Sequence, residues 1–401
     1  MVLSNRARSL KPSPTLAMAN RARELAAQGL DVISLTVGEP DWPTLPSASQ
    51  AGIRAIQDGQ TKYTAAHGIP ELRKALRPWI FEETGVEYSE SEIVVGSGAK
   101  FVIAALLQMV VDPGDEVLIP SPYWVSYPVM AELAGGIPRV IECTEATNFL
   151  LTPQDLEAAI TPRTKALILC SPSNPTGLAY SHEQLQGLAR IVKKYPQLIV
   201  ISDDIYNRLT FSGNPIAPHI LKADPSLKDR VVVVNGASKA FSMTGWRLGW
   251  AAGPAGLMKF VADYFSQTTS NPCSISQYAA LGALQKGKAE LDKSLELLRE
   301  RCKKGLAALK DVPQLKVANP HGAFYFWVDV KAWIGKTHEP SGRKISGSKD
   351  VAELLLDSCH LATVPGNEFG TEGYLRLSFA IQDERFAEAV GRLKKFATSL
   401  S

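Results

Sequence analysis

One lysine, Lys239, stands in the stretch "VVVVNGASKAFSMTGWRLG", just past four valines that read as a buried strand, and Arg247 comes eight residues later. An ammonium group next to a buried strand loses hydration and is rarely kept there without a purpose. Burial or nearby cations lower its pKa and free an amine for Schiff-base chemistry, and Arg247, beyond the turn at Gly245, suits a phosphate clamp. Asp203 and Asp204 close another apolar run. A carboxylate buried there needs a cationic or hydrogen-bonding partner, although a helix cap or a surface pair explains two aspartates equally well in isolation. Tyr206 offers a phenol to the same neighbourhood. Asn174, in "SPSNPTG", reads as a turn residue, and Trp124, in "SPYW", is either core or a flat face for an aromatic ligand.

Five apolar runs must position these groups: "EIVVG" (92–96), "EVLIP" (116–120), "ALILC" (166–170), "LIVIS" (198–202) and "VVVVN" (231–235). Helical patterns such as 100–111 and 183–195 lie between them, which predicts an α/β domain with a mainly parallel sheet covered on both faces. Ligands of such sheets bind beyond the carboxyl ends of the strands. The five runs lead, in turn, into "GSGAK", "SPYW", "SPSNPTG", "DDIY" and "GASK". Small residues, an aromatic ring, two carboxylates and a lysine thus converge on one edge. The turn at Gly96–Lys100 opens a helix and presents free N–H groups to a phosphate. A dinucleotide fingerprint would need glycine at position 101, where Phe101 stands, so a nicotinamide reading is weak. The set describes a holder for a flat, phosphorylated, aldehyde-bearing ring, and pyridoxal phosphate answers that description.

The chain has 401 residues, 45% of them apolar and 21% charged, enough for a large core and two domains. A net charge of +3 is too small to imply nucleic acid or an acidic membrane as partner. Five widely spaced cysteines, with no paired metal-ligand spacing, indicate neither a disulfide framework nor a metal site, and fit a reduced, cytoplasmic setting. The longest apolar run is too short to span a bilayer. After residue 286 the pattern changes: a long charged helix (286–310), "GAFYFWVDV", a polar insertion (335–349) read as a solvated loop, and the strand "YLRLSFA". This is the signature of a smaller α+β domain, with which the first forty residues are expected to pack. The expected divisions are 1–41, 42–296 and 297–401.

With "LKPSPT", "VGEPDW", "KYTAAHGIPELR", "SPYWVSYP", "SPSNPTG", "SDDIY", "GASKAFSMTGWRLG" and "YLRLSFA" in order along nearly its whole length, the chain resembles the class I aminotransferases of pyridoxal-phosphate fold type I. It is most similar to the bacterial aspartate aminotransferases of subgroup 1β, which include prephenate-using members. The resemblance implies a large domain with a mainly parallel seven-stranded sheet between helices, plus a smaller α+β domain. It makes "KPSPT" part of the mature enzyme, leaving no room for a transit peptide. It implies that Lys239 takes the cofactor aldehyde and later shuttles the substrate proton, and that Asp203 pairs with the pyridine nitrogen. Tyr206 and Asn174 then meet the ring's 3-oxygen, and Trp124 stacks on the ring. Gly98, Ala99, Lys100 and Arg247 hold the phosphate, as does Tyr63 from a second copy, so a homodimer with shared sites is implied.

Gly38 and Arg376 match the residues that receive the substrate α-carboxylate. From alternation alone, Arg376 would be an exposed residue of its strand, opposite Leu375 and Leu377. Two departures from the family pattern stand out. Ser266 occupies the position where enteric and animal aspartate enzymes use an arginine for the distal carboxylate, and Gly236 replaces a phosphate-binding serine, a loss Ser238 could compensate. Lys100 and Thr15 match the subgroup's alternative residues, which points to dicarboxylic substrates. The expected reaction moves the amino group of aspartate to 2-oxoglutarate by a ping-pong mechanism. Lys11 matches a residue of prephenate-using relatives and keeps prephenate as an alternative keto acid. A pyridoxal-phosphate lyase would share the fold and the lysine, whereas a regulator would need a DNA-binding module before Ser34, for which there is no room.

Overall fold

The computed structural model describes residues 2–4, 7–8, 10, 14–211 and 213–401, except the side chains of residues 14–16. Lys11 and the side chain of Thr15 therefore lie outside the described residues.

Seven strands form the larger sheet: β1 (Ile93–Gly96), β2 (Glu116–Ser121), β3 (Ile137–Glu142), β4 (Thr164–Cys170), β5 (Ile199–Asp203), β6 (Val231–Gly236) and β7 (Gly249–Ala252). They lie in the order β1-β7-β6-β5-β4-β2-β3. All run parallel except β7, which is antiparallel to both β1 and β6. The absence of alternation in the apolar runs has a direct cause. Val231 and Val233 enter one hydrophobic core while Val232 and Val234 enter another, on the opposite face of the sheet. Leu167 and Leu169 of β4 likewise separate from Ala166 and Ile168. Helices cover both faces, so successive positions along the central strands are apolar until the strands reach their ends, where Ser202, Asp203 and Asn235 stand.

Five of the seven strands match the apolar runs; β3 and β7 do not. β3 is an edge strand whose residues are mostly exposed and include Pro138 and Arg139, so it lacks an apolar run. β7 is the four-residue segment "GWAA", too short to stand out and, apart from Trp250, made of glycine and alanine, which are poor strand formers.

The second sheet contains β8 (Lys316–Val317), β9 (Tyr325–Asp329), β10 (Val364–Pro365) and β11 (Tyr374–Ser378), antiparallel in the order β10-β11-β9-β8. Every residue of β11 is buried, Arg376 included, which corrects the expectation that it is exposed. The alternation of β11 is real, but both faces are covered. Leu375 and Leu377 join the main core. The facing Phe326 packs against Phe386 of the Asp383–Thr398 helix and close to Gly305 of the Lys288–Leu309 helix. Arg376 and its cross-strand neighbour Trp327 look the other way. Ile33–Ser34 pairs in parallel with Leu361–Ala362, fastening the early chain to this C-terminal region. Residues 335–349 are also not a fully solvated loop. Thr337–His338 and Arg343–Lys344 form a hairpin, His338 stacks on Phe396 and Ile345 is buried.

Behind the large sheet, a buried polar network ties the Pro70–Thr84 helix to the ends of β5 and β6. Glu83 receives Arg208 Nε at 2.7 Å and Asn235 Nδ2 at 3.3 Å, and Asn235 also donates to Asn207 at 3.2 Å. The guanidinium of Arg208 lies 3.4 Å from the centre of the Trp79 ring. Arg208→Ala would strand the buried Glu83 carboxylate, an uncompensated charge worth about 3–5 kcal/mol. A correspondingly lower urea midpoint is expected; an unchanged one would show that the network is idle.

Candidate active site

The strand ends and the second sheet enclose a cavity of about 310 Å³. Asp203 is the last residue of β5, and Lys239 lies in the one-turn helix Ala237–Ala240 directly after β6. Asn174 and Cys170 come from the end of β4 and the segment after it, Trp124 from the segment after β2, and Arg376 from β11. Thr36, Val37 and Gly38, just beyond the Ile33–Ser34 strand, form the remaining side. Residues far apart in sequence meet here because parallel strands deliver their carboxyl ends to one edge.

One end of the cavity is cationic. Gly98 caps the Ala99–Val110 helix with φ +95°, and a Cβ on it would lie 2.6 Å from Arg247 Nη2. A Cβ on Gly249 would come within 2.3 Å of Ala99 N. These two glycines therefore let the first N–H groups of the helix and the Arg247 guanidinium approach each other, which makes a cradle for an anion. Lys100 lines the same end, its Nζ 5.1 Å from the Trp124 ring centre. Desolvation, then the charge of Arg247, lowers the pKa of Lys100. The missing side chain at Gly236 has a steric explanation: its Cβ would lie 2.9 Å from Leu248 O and 3.1 Å from Gly249 Cα in the neighbouring strand. Ser238 lines the cavity instead.

The middle of the cavity holds the carboxylate and the amine. Asp203, 4% exposed, accepts a hydrogen bond from Tyr127 Oη at 2.5 Å. Burial pushes its pKa up to about 6, against the opposing pull of the Tyr127 hydrogen bond. Burial also depresses the Lys239 amine to about 8, with Glu39 opposing and Arg376 and Arg247 adding to the fall. About a tenth of such an amine is unprotonated at pH 7, far more than for an ordinary lysine. Lys239 Nζ donates to the carbonyl oxygen of Gly38.

At the far end, Arg376 is 2% exposed. Its Nη1 donates to Asn174 Oδ1 at 2.9 Å and its Nη2 to Thr36 O at 2.6 Å, while Nε has no partner among the described residues. A buried guanidinium with a spare donor is suited to a carboxylate. Tyr206 is buried and shares a 2.8 Å hydrogen bond with Tyr325, whose ring lies 4.5 Å from Arg376 Cζ.

The cavity thus brings together Gly38, Ala99, Lys100, Trp124, Asn174, Asp203, Tyr206, Lys239, Arg247 and Arg376, with Gly98 against Arg247. Tyr63 stands apart: it is 89% exposed and does not line the cavity. Two lining residues carry no clear mark in the sequence. Tyr127 lies three positions after Trp124, in the first turn of the Ser126–Leu133 helix, and its N–H donates to Trp124 O at 3.0 Å, but nothing in "SPYWVSYP" sets it apart from Tyr123. Tyr325 sits in the aromatic run "AFYFW", where nothing separates a functional ring from a core one.

The profile of the family "Aminotransferase class I and II" matches residues 30–393. The chain belongs to this family. It is 44% identical over 399 residues to an aspartate/prephenate aminotransferase of Cereibacter sphaeroides, covering 100% of this chain and 99% of the relative. Identity to the Nitrosomonas europaea protein of the same name is 42%, over 98% of this chain and 99% of that one. The aspartate aminotransferase structure from Rhizobium meliloti superposes with a TM-score of 0.96 at 38% identity, with full coverage of both chains. That of Thermus thermophilus aspartate aminotransferase with maleate gives 0.90 at 38% identity, over 99% of this chain and 100% of that one.

In this aminotransferase the environment of Asp203 sets a pH signature for the cofactor-free protein. Its folded-state pKa, about 6, lies above the ordinary 3.8, so its contribution to stability is full below about pH 4 and is lost as pH rises through 6. Asp203→Asn carries no such loss. The unfolding free energy of Asp203→Asn relative to wild type is expected to rise by up to about 3 kcal/mol between about pH 4 and pH 7. Urea titrations at the two pH values measure it, and a pH-independent difference would contradict the assignment. Tyr127→Phe, which removes the opposing hydrogen bond, should move the same window to higher pH.

Proposed function

We propose that this enzyme binds pyridoxal phosphate and moves the amino group of L-aspartate to 2-oxoglutarate, giving oxaloacetate and L-glutamate by a ping-pong mechanism. The observation that carries the reading is the convergence of Lys239, Asp203, Arg247 and Arg376 on one cavity. The residues fit the cofactor: Gly98 and Arg247 form a cradle of phosphate type, Asp203 is a buried carboxylate in want of a cation, and the amine of Lys239 is lowered towards neutrality.

When bound, the cofactor supplies an electron sink for charge that develops at the substrate Cα. Asp203 would hold a proton on the ring nitrogen, Asn174 and Tyr206 would meet the ring oxygen, and Trp124 would cover the ring. Gly98, Ala99, Lys100 and Arg247 would hold the phosphate. Lys239 removes the proton from the substrate Cα and returns one, a task for which an amine near neutrality is suited. Arg376, with Gly38 beside it, orients the α-carboxylate, and the burial of Arg376 and Asp203 strengthens their interactions with a bound ligand. Homodimerisation is part of the proposal, since the exposed Tyr63 would reach the phosphate of a second copy. Five cysteines without disulfides support a cytoplasmic setting.

Lys100 beside Trp124 supports a dicarboxylic substrate, with Thr15 as its proposed companion. The Thermus thermophilus relative was solved with maleate, a dicarboxylate. Prephenate as an alternative acceptor rests on the names of the Cereibacter and Nitrosomonas relatives and on Lys11. Aspartate with 2-oxoglutarate or with prephenate should exceed alanine or phenylalanine pairs by at least about tenfold in kcat/KM. Equal values across these pairs would refute the dicarboxylate assignment. Lys239→Ala is expected to abolish transamination with an unchanged thermal midpoint; retained turnover would remove the basis of the proposed chemistry.

A further inference from the structure

Tyr325 touches three parts of the site at once. It is fully buried yet lines the cavity. Its hydroxyl lies 2.8 Å from that of Tyr206. Its ring faces the Arg376 guanidinium at 4.5 Å. Its hydroxyl also fills the space that a side chain on Gly38 would take, since a Cβ there would lie 2.8 Å away. The register of the second sheet explains this reach. Tyr325 pairs with Ser378 and Trp327 with Arg376, so Tyr325 and Arg376 share a face as diagonal neighbours.

From this geometry we propose that Tyr325 is a positioning residue which sets both the Arg376 guanidinium that receives the substrate carboxylate and the Tyr206 phenol that meets the cofactor. The two halves of the side chain do separate work. The ring supports the guanidinium by a cation–π contact between two buried side chains, where such contacts are strongest. The hydroxyl holds the Tyr206 phenol, and a phenol that accepts one hydrogen bond donates a stronger one. Gly38 matters in the same way, because a side chain at that position would displace the hydroxyl.

The inference rests on the proposed binding of pyridoxal phosphate, and two variants of the loaded protein separate its parts. Tyr325→Phe keeps the ring and removes the hydroxyl. The Tyr206 donor to the ring oxygen is then weaker, the oxygen becomes more basic, and the midpoint of the visible-absorbance pH titration should rise by about half a unit or more. Maleate affinity should stay within about twofold, because the ring still supports Arg376. Tyr325→Leu removes both halves, and should show the same titration shift and at least about fivefold weaker maleate binding. Thermal midpoints of the loaded proteins report general loss of structure, and the conservative Tyr325→Phe variant decides the hydroxyl's part even where Tyr325→Leu fails to fold.

An unmoved titration midpoint in Tyr325→Phe would overturn the coupling to Tyr206. Wild-type maleate affinity in a folded Tyr325→Leu would overturn the support of Arg376. In both cases the wild-type protein still carries the cofactor and binds maleate, so the reading of the site stands. If the wild-type protein takes up no pyridoxal phosphate, that reading fails and the inference fails with it.

Discussion

Desolvation is the constraint on which the rest of the structure depends. Lys239, Asp203 and Arg376 share one small cavity, and burial shifts each towards its neutral form. In water these would be an ordinary ammonium, carboxylate and guanidinium with little mutual influence. Within the protein, the lysine loses its proton more readily than an ordinary lysine, while the aspartate holds its own more tightly and is ionised at a cost that a cationic partner would offset. Such ionisable groups are costly to keep unless a ligand completes them. The site is therefore an unfinished set of charges, and the cofactor and substrate proposed for it carry the complementary groups.

Holding those groups in place is the work of two sheets and of the glycines between them. The large sheet can deliver its strand ends to one edge because its strands are parallel and covered on both faces, so no strand needs a polar side. Gly98, Gly236 and Gly249 allow β1, β6 and β7 to bring the cationic end of the cavity together without steric conflict. The Glu83–Arg208–Asn235 network, on the opposite side of the sheet, secures the ends of β5 and β6 from which Asp203 and Lys239 emerge. The second sheet supplies Arg376 and Tyr325 from adjacent strands, which ties that end of the cavity to the geometry of the sheet.

Much of this was legible from residue types and order. Valine and leucine runs announce central strands because those positions have no solvent side to encode, and the residues just beyond them mark the functional edge. Lys239 was legible because an isolated lysine next to a buried strand is chemically expensive. β3 was not, because an edge strand with Pro138 and Arg139 lacks the apolar signal, and β7 was too short to carry one. Arg376 illustrates a different failure. Its alternation with Leu375 and Leu377 is a true property of the strand, but alternation shows only that two faces differ, not that one is wet.

By itself, then, the sequence determined the α/β layering, the chemistry available at the strand ends and the identity of the amine that stands out. These are local properties, written in composition and period. Only the tertiary structure decided that Tyr127 would hold Asp203, that Tyr325 would join Tyr206 to Arg376, and that Gly236 has no room for a side chain. Each of these facts depends on contacts between strands or segments distant along the chain. No spacing records them, because a buried tyrosine in a core and a buried tyrosine against an active site have the same neighbours in sequence and different ones in space.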